Sequence, residues 1–361
     1  MSADRGPLKR ALLAFAWILL LFVVFILLTT WAFWLEQKVS KHNDLSPEEK
    51  ERDIDFVVTW VNSNDPEWVE KKEWYSGINR DERNDARRFG DGQVTNLEIE
   101  TSVRSILKYA PWCHRVWIAT DDQVPDFVSH LSVQDRAKVR VIFHRNFFLQ
   151  PEILPTFNSH TIEANLYNIP GLANRFIYMN DDMFFSNYVS PEHFFQGDMP
   201  LYRSTYLLNV RGMPTLGKII MKVSPSSRVY LTASANLSDY GNRMFIWRYK
   251  HHAVPLHRSF FTKGHLTRTG YPTSCLCRGR FRDKLDVPPI HCAAIHAIKN
   301  KLANLYTGET YQIYYGEKLK DHIDLSEYHE CCINNVATVE EALDLQRRAL
   351  RNPEQPFTRA R

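Results

Sequence analysis

Asn180, Asp181 and Asp182 interrupt the apolar and aromatic run from Phe176 to Phe185, so two adjacent carboxylates fall where a buried strand should end. Desolvating two like charges at the edge of a core costs on the order of several kcal/mol unless something positive neutralises them. A divalent metal with a phosphate-bearing ligand meets that need, although the same three residues taken alone also suit a solvated turn. Two further clusters carry chemistry. One is the histidine loop His251, His252 and His257, whose imidazoles titrate near neutrality and suit proton transfer. The other is the basic stretch Arg278, Arg280 and Arg282, whose planar guanidinium groups match phosphate geometry.

The elements that must position these groups are legible from periodicity. Asp55–Val61 reads as a buried strand stopped by the polar Asn62–Pro66, and Leu97–Tyr109 reads as a helix ended by Ala110-Pro111. Strands are predicted over 116–120, 139–144 and 175–179, with a short helix over 159–167 before the last of them. Alternating strands and helices predict an α/β, Rossmann-like domain with a mostly parallel sheet and helices on both faces. Polar clusters at consecutive strand ends should then converge on one edge, where open sheets of this type bind ligands. Beyond Leu201 the pattern is less regular. A helix is expected from His291 to Tyr306, and a polar, frayed one after Val339.

Composition sets the setting. From Ala11 to Trp34 no side chain is charged, a span long enough for one transmembrane helix, while Arg5, Lys9 and Arg10 precede it. The positive-inside rule then gives a cytoplasmic tail (1–10), a signal anchor (11–34), a stem (35–53), a lumenal domain (54–340) and a C-terminal tail (341–361), that is, a type II membrane protein. Six cysteines lie beyond the anchor, where disulfides are permitted, and their spacing argues against zinc. Asn236-Leu237-Ser238 is a glycosylation sequon that suits a lumenal surface. A net charge of +4 without a basic stripe gives no support to nucleic-acid binding.

Several blocks, taken in order, resemble the Stealth phosphotransferases. These are Asp55 to Pro66; Arg88-Phe89 and Ser102 to Trp112; Thr120 to Pro125; Leu154 to Ser159; Ile162-Glu163; Ile169 to Leu172; and Phe176 to Asp182. His252 with Pro255 is similar to the family's third region, and Arg280 to Asp286 to its fourth. Two departures stand out: Glu100 where the family usually has Arg, and Asp122 where it has Gly. The family includes bacterial capsule polymerases and the Golgi N-acetylglucosamine-1-phosphotransferase.

The resemblance implies transfer of a sugar 1-phosphate from a nucleotide sugar, UDP-N-acetylglucosamine being the first choice, to a hydroxyl of a glycan or glycoprotein acceptor. The product is a phosphodiester and the leaving group a nucleoside monophosphate. It further implies Mg²⁺ or Mn²⁺ at Asp181 and Asp182, His252 as general base with His251 and His257 as alternatives, and Arg282 as phosphate fork with Arg280 beside it. Asp65, Arg88, Arg104, Asn158, Ser159 and Glu163 would contact substrate. Local roles compete: a loop cap for Asp65, an N-cap for Asn158 or Ser159, and surface ion pairs for the two arginines. A Golgi or other secretory-pathway membrane is the expected location, and a homodimer is compatible. The rival functions are a metal-dependent Golgi glycosyltransferase, which would attack the anomeric carbon, and a non-catalytic lumenal glycan-binding protein.

Overall fold

The computed structural model describes residues 53–78, 92–203, 207–211, 243–247, 252–262, 279–282, 289–299, 301–306, 313–316, 323–333 and 336–351. The anchor at 11–34, Arg88, Asn236, His251, Cys275, Cys277 and the side chain of Cys292 lie outside these residues. Among the described residues no helix is long and apolar enough to cross a membrane.

Strands β1 (Ile54–Thr59), β2 (Val116–Thr120), β3 (Val139–Phe143) and β4 (Arg175–Asn180) run parallel. After β5 (Met183–Phe185), β6 (Phe195–Gln196), β7 (Met199–Arg203), β8 (Leu207–Arg211) and β9 (Arg243–Trp247), strand β10 (Val254–His257) joins the central sheet antiparallel to β4. The order is β10-β4-β1-β2-β3. From β1 the chain steps one way to β2 and β3 and then crosses back to place β4 on the other side. That reversal opens a crevice beyond the C-terminal ends of β1 and β4, the switch point where sheets of this kind take ligands.

Helices α1 (Pro66–Ile78) and α2 (Gly92–Tyr109) connect β1 to β2, and α3 (Val133–Lys138) leads into β3. Helix α4 (Ser159–Glu163) precedes β4, α5 (Ser259–Thr262) follows β10, and α6 (Pro289–Lys299) covers the same face as α4. Alternation along the strands sorts the two faces. Val57, Phe176 and Tyr178 enter one core with Leu166, Phe260 and Ala293, whereas Phe56, Val58, Ile177 and Met179 enter the other with Ile99, Val103 and Ile106 of α2.

Some elements differ from expectation. The chain after Pro66 is a helix, because Asp65 accepts a hydrogen bond from the Glu67 amide and starts the turn. The predicted helix 291–306 ends at Lys299 and gives way to β11 (Asn304–Tyr306), which pairs with β7. A third small sheet joins β12 (Ile313–Gly316), β13 (Glu330–Ile333) and β5. The terminal helix α7 (Val339–Ala349) buries Ala342, Leu345 and Ala349, and Lys108 Nζ and Tyr109 OH donate to the carbonyls at its end. The disulfide expectation gains nothing from Cys113 and Cys331, which are buried free thiols.

Candidate active site

The edge of the crevice is built from both faces of β4. On one side, Asp181 and Asp182 make the turn from β4 into β5, and Glu98 of α2 faces them. Burial first, and then the Asp181 and Asp182 charges, push the Glu98 carboxyl far above its ordinary range. Burial followed by the Asp182 charge likewise raises Asp181. The segment around β13 closes this side: Cys332 Sγ donates to Asp182 Oδ2 at 3.6 Å, and the Ile333 amide donates to the Asp182 carbonyl at 3.3 Å. Hard oxygen donors of this kind suit Mg²⁺ or Mn²⁺, and crowded carboxylates are relieved by a cation. Among the described residues no three His, Cys, Asp or Glu side chains form a ready-made cage. Mg²⁺ does not require one, since it is commonly held by one or two carboxylates with water and phosphate oxygens.

On the other side, the residues near Asn158 hold the Gly279–Arg282 segment in place. Asn158 is fully buried; its Oδ1 caps α4 by accepting from the His160 amide at 3.1 Å, and its Nδ2 donates to the Gly279 and Phe281 carbonyls. Thr161 Oγ1 donates to the Gly279 carbonyl at 3.0 Å, and the Phe157 amide to the Arg280 carbonyl at 2.6 Å. A Cβ on Gly279 would stand 2.6 Å from the Phe281 carbonyl oxygen, so no other residue fits this bend. Phe281 stacks on Phe157, which meets Trp68 edge to face. The result is a fixed Arg282, whose Nη2 donates to Ser159 Oγ and whose charge faces Glu163. Burial pushes the Glu163 carboxyl up to about 7 against the opposing pull of Arg282 and a hydrogen bond from Tyr178. The closer acceptor of the same hydroxyl proton is Asn180 Oδ1 at 2.7 Å.

His252 is buried just before β10. Because Val254 pairs with Tyr178, the chain at His252 lies level with the end of β4. Its Nδ1 lies 2.7 Å from the Ala253 carbonyl, an acceptor that fixes the proton on Nδ1 and leaves the lone pair on Nε2. The Ala253 amide donates to Glu330 Oε1 of β13, which sets the position of this turn. His257, by contrast, pairs with Arg175 at the start of β4 and hydrogen bonds Ser259, so it sits at the opposite edge of the sheet, about 15 Å of strand away.

The remaining expected residues separate. Asp65 is half-buried at the end of the β1 loop, where its Oδ2 accepts from Gln123 Nε2 at 2.8 Å; Gln123 also exchanges two hydrogen bonds with the Asn62 backbone. Gln123 therefore ties the loop after β1 to the loop after β2. Arg104 pairs with Glu100 at 2.7 Å one turn away on α2. Arg280 donates to the Glu152 and Leu154 carbonyls and lies 4.4 Å over the Tyr75 ring, so it holds loop to helix. Asp122 adopts φ of +59°, a conformation that glycine enters without strain and Asp tolerates. Glu98 and Tyr178 were not singled out from sequence. The signals were an acid beside the apolar stripe of α2 and a phenol two residues before Asn180 on the same strand face.

The profile of Stealth conserved region 1 matches residues 52–80 and that of conserved region 2 matches residues 93–201. An exopolysaccharide phosphotransferase of Lactiplantibacillus plantarum is 44% identical over 146 residues, 40% of each chain. One from Streptomyces coelicolor is 32% identical over 247 residues, 67% of this chain and 43% of that one. A capsular polysaccharide phosphotransferase of Haemophilus influenzae is 33% identical over 222 residues, 58% of this chain and 56% of that one. The chain thus spans about half the length of these relatives. Among solved structures, apo mouse xyloside xylosyltransferase 1 gives a TM-score of 0.38 at 12% identity, covering 80% of this chain and 99% of that one, below the level that establishes a shared fold. The two conserved regions, which this chain carries, contain β1, Asp65, α2, β2, α4, β4 and the Asn180-Asp181-Asp182 turn.

Proposed function

From a chain that carries two Stealth conserved regions and whose acids and arginine line a switch-point crevice, we propose transfer of a sugar 1-phosphate from a nucleotide sugar to a glycan hydroxyl. UDP-N-acetylglucosamine is the donor proposed first, the product a phosphodiester and the leaving group a nucleoside monophosphate. The observation that carries the reading is the approach of Arg282, fixed from a distant segment, to the crevice edge that holds Asp181 and Asp182. Phosphoryl transfer needs positioning and charge neutralisation more than covalent help from the protein. Asp181 and Asp182 would hold Mg²⁺ or Mn²⁺, which when bound would neutralise charge on the diphosphate. Arg282 offers its guanidinium to the phosphoryl oxygens while Ser159 and Glu163 hold its orientation. His252 takes the proton of the acceptor hydroxyl at Nε2. The uncharged span at 11–34 supports a type II placement in a secretory-pathway membrane with this domain lumenal, and Asn236 would then carry glycan.

The decisive measurement follows the β-phosphorus. Donor labelled there passes its label to the acceptor if phosphorus is attacked, in a linkage resistant to phosphomonoesterase until mild acid removes the sugar. Label found wholly in nucleoside diphosphate, with an unphosphorylated glycoside as product, would establish the glycosyltransferase reading instead.

A further inference from the structure

The Tyr178 hydroxyl stands between the two halves of the crevice edge. It donates to Asn180 Oδ1 at 2.7 Å, has Glu163 Oε1 at 3.4 Å, and lies 3.3 Å from Thr59 Oγ1 at the end of β1. Thr59, Tyr178 and Asn180 share one face because β1 and β4 pair Val57 with Tyr178 and Thr59 with Asn180. The ring is buried among apolar side chains, and burial with two facing carboxylates, Glu163 and Asp181, keeps the phenol protonated. A phenol has one proton and serves one acceptor well at a time. At rest the short contact goes to Asn180, while Glu163 has the Arg282 charge as its main electrostatic partner.

We propose that Tyr178 is a positioning residue that couples Arg282 to the Asn180-Asp181-Asp182 turn. At a pH above its raised range, where Glu163 stays ionised, a phosphate that takes up the Arg282 charge leaves Glu163 with less counter-charge and makes it the stronger acceptor for the Tyr178 proton. The hydroxyl turns from Asn180 to Glu163, and the Asn180 amide is released toward the crevice beside Asp181. Occupation of the phosphate fork is thereby reported about one side-chain length away to the residues that would hold the metal beside the diphosphate. This deepens the sugar-phosphate reading and rests on it for the identity of the phosphate.

A double-mutant cycle in the full chain tests the coupling, with two readouts so that failure of the coupling and failure of the transferase reading separate. The first readout needs no ligand: in ¹⁵N-asparagine-labelled protein, the Asn180 side-chain amide, assigned by its loss in Asn180→Asp, should shift in Glu163→Gln. In a Tyr178→Phe background the same change should leave it unmoved. An equal shift in both backgrounds overturns the proposal. The second uses UDP-N-acetylglucosamine: Tyr178→Phe and Glu163→Gln should each lower kcat roughly ten-fold, the scale of one lost hydrogen bond, with KM little changed. The double variant should be no slower than the slower single one. Additive losses that track a fall in melting temperature would show a structural role only and overturn the proposal. If the wild type transfers nothing from this donor, the transferase reading loses its first donor and the amide readout alone decides the coupling.

Discussion

Two aspartates at opposite ends of the same sheet meet opposite surroundings. Asp55, at the start of β1, is fully buried, yet its Oδ1 lies 2.9 Å from His114 Nδ1 and its Oδ2 accepts from Trp117 Nε1 and the Ala173 amide, each at 2.9 Å. Asp181, at the end of β4, is pressed against Asp182 and Glu98 in surroundings that raise its proton affinity. Both carboxylates come from apolar strands and look alike in sequence. The difference is in who faces them. A buried acid ringed by donors holds the fold together, whereas one ringed by acids calls for a ligand.

The largest expected effects test that contrast directly. Asp181→Asn and Asp182→Asn should each lower turnover by on the order of 10²–10³, since each removes charge from the site while keeping size. Melting temperatures should hold or rise because repulsion is relieved. Asp55→Ala should do the reverse: it strands the His114, Trp117 and Ala173 donors and should cost about 3–5 kcal/mol in urea unfolding. The kcat of the folded fraction should be unchanged. A normal turnover in either carboxamide variant, or a full-strength fold in Asp55→Ala, would erase the distinction.

A smaller effect sharpens it at the third element of the edge. His252→Ala should slow turnover by about 10²-fold, as for a lost general base, and should remove the acidic limb of the pH–rate profile. His257→Ala should leave that limb in place, because His257 lies at the Asp55 end of the sheet with Arg175. A collapse on His257→Ala with an active His252→Ala would reverse the assignment.

How much of this could be read from residues follows from the same physics. Strands β1, β2 and β4 were legible within a residue or two because burial on both faces leaves β-branched and aromatic runs, and the edge strand β3, with Arg140 exposed, was legible from its Val139, Val141 and Ile142. The start of α1 was not, since Asp65-Pro66 reads equally as a loop until the Glu67 amide is seen to cap on Asp65. Of the site, Asp181, Asp182, Ser159, Glu163 and Arg282 draw together around β4. The expected substrate contacts Asn158 and Arg280 instead use their hydrogen bonds on backbone carbonyls, a long-range choice that local spacing does not reveal. Glu98 was missed because a single acid in an amphipathic helix usually faces water; only the turn after β4, 80 residues on, makes it an interior group.

His144 offers the finest test of the contrast, as a buried ionisable group with no hydrogen-bond partner and one carboxylate near it. It lies at the end of β3 against the Phe147 and Phe148 rings, its nitrogens have no hydrogen-bond partner, and its Nδ1 is 3.9 Å from Asp121 Oδ1. Burial lowers its pKa from 6.5 to about 3, so the imidazole is neutral in the folded state over most of the acid range. The unfolded chain takes up a proton near pH 6.5 that the folded one refuses until pH 3, so stability present above 6.5 is lost as pH falls through that window. Asp121 and Glu163, whose carboxyls burial raises, the latter to about 7, shift stability the opposite way as pH falls, so the imidazole is isolated by the difference between wild type and His144→Phe over the interval from 7 to 5. Over it, wild type should lose about 2 kcal/mol on account of His144, at about 1.4 kcal/mol per pH unit below 6.5. His144→Phe, which keeps an aromatic ring among the phenylalanines and cannot titrate, should lose that much less in urea unfolding at the two pH values. Identical losses in the two proteins would mean that His144 is protonated in the fold and that Asp121 holds it as His114 is held by Asp55.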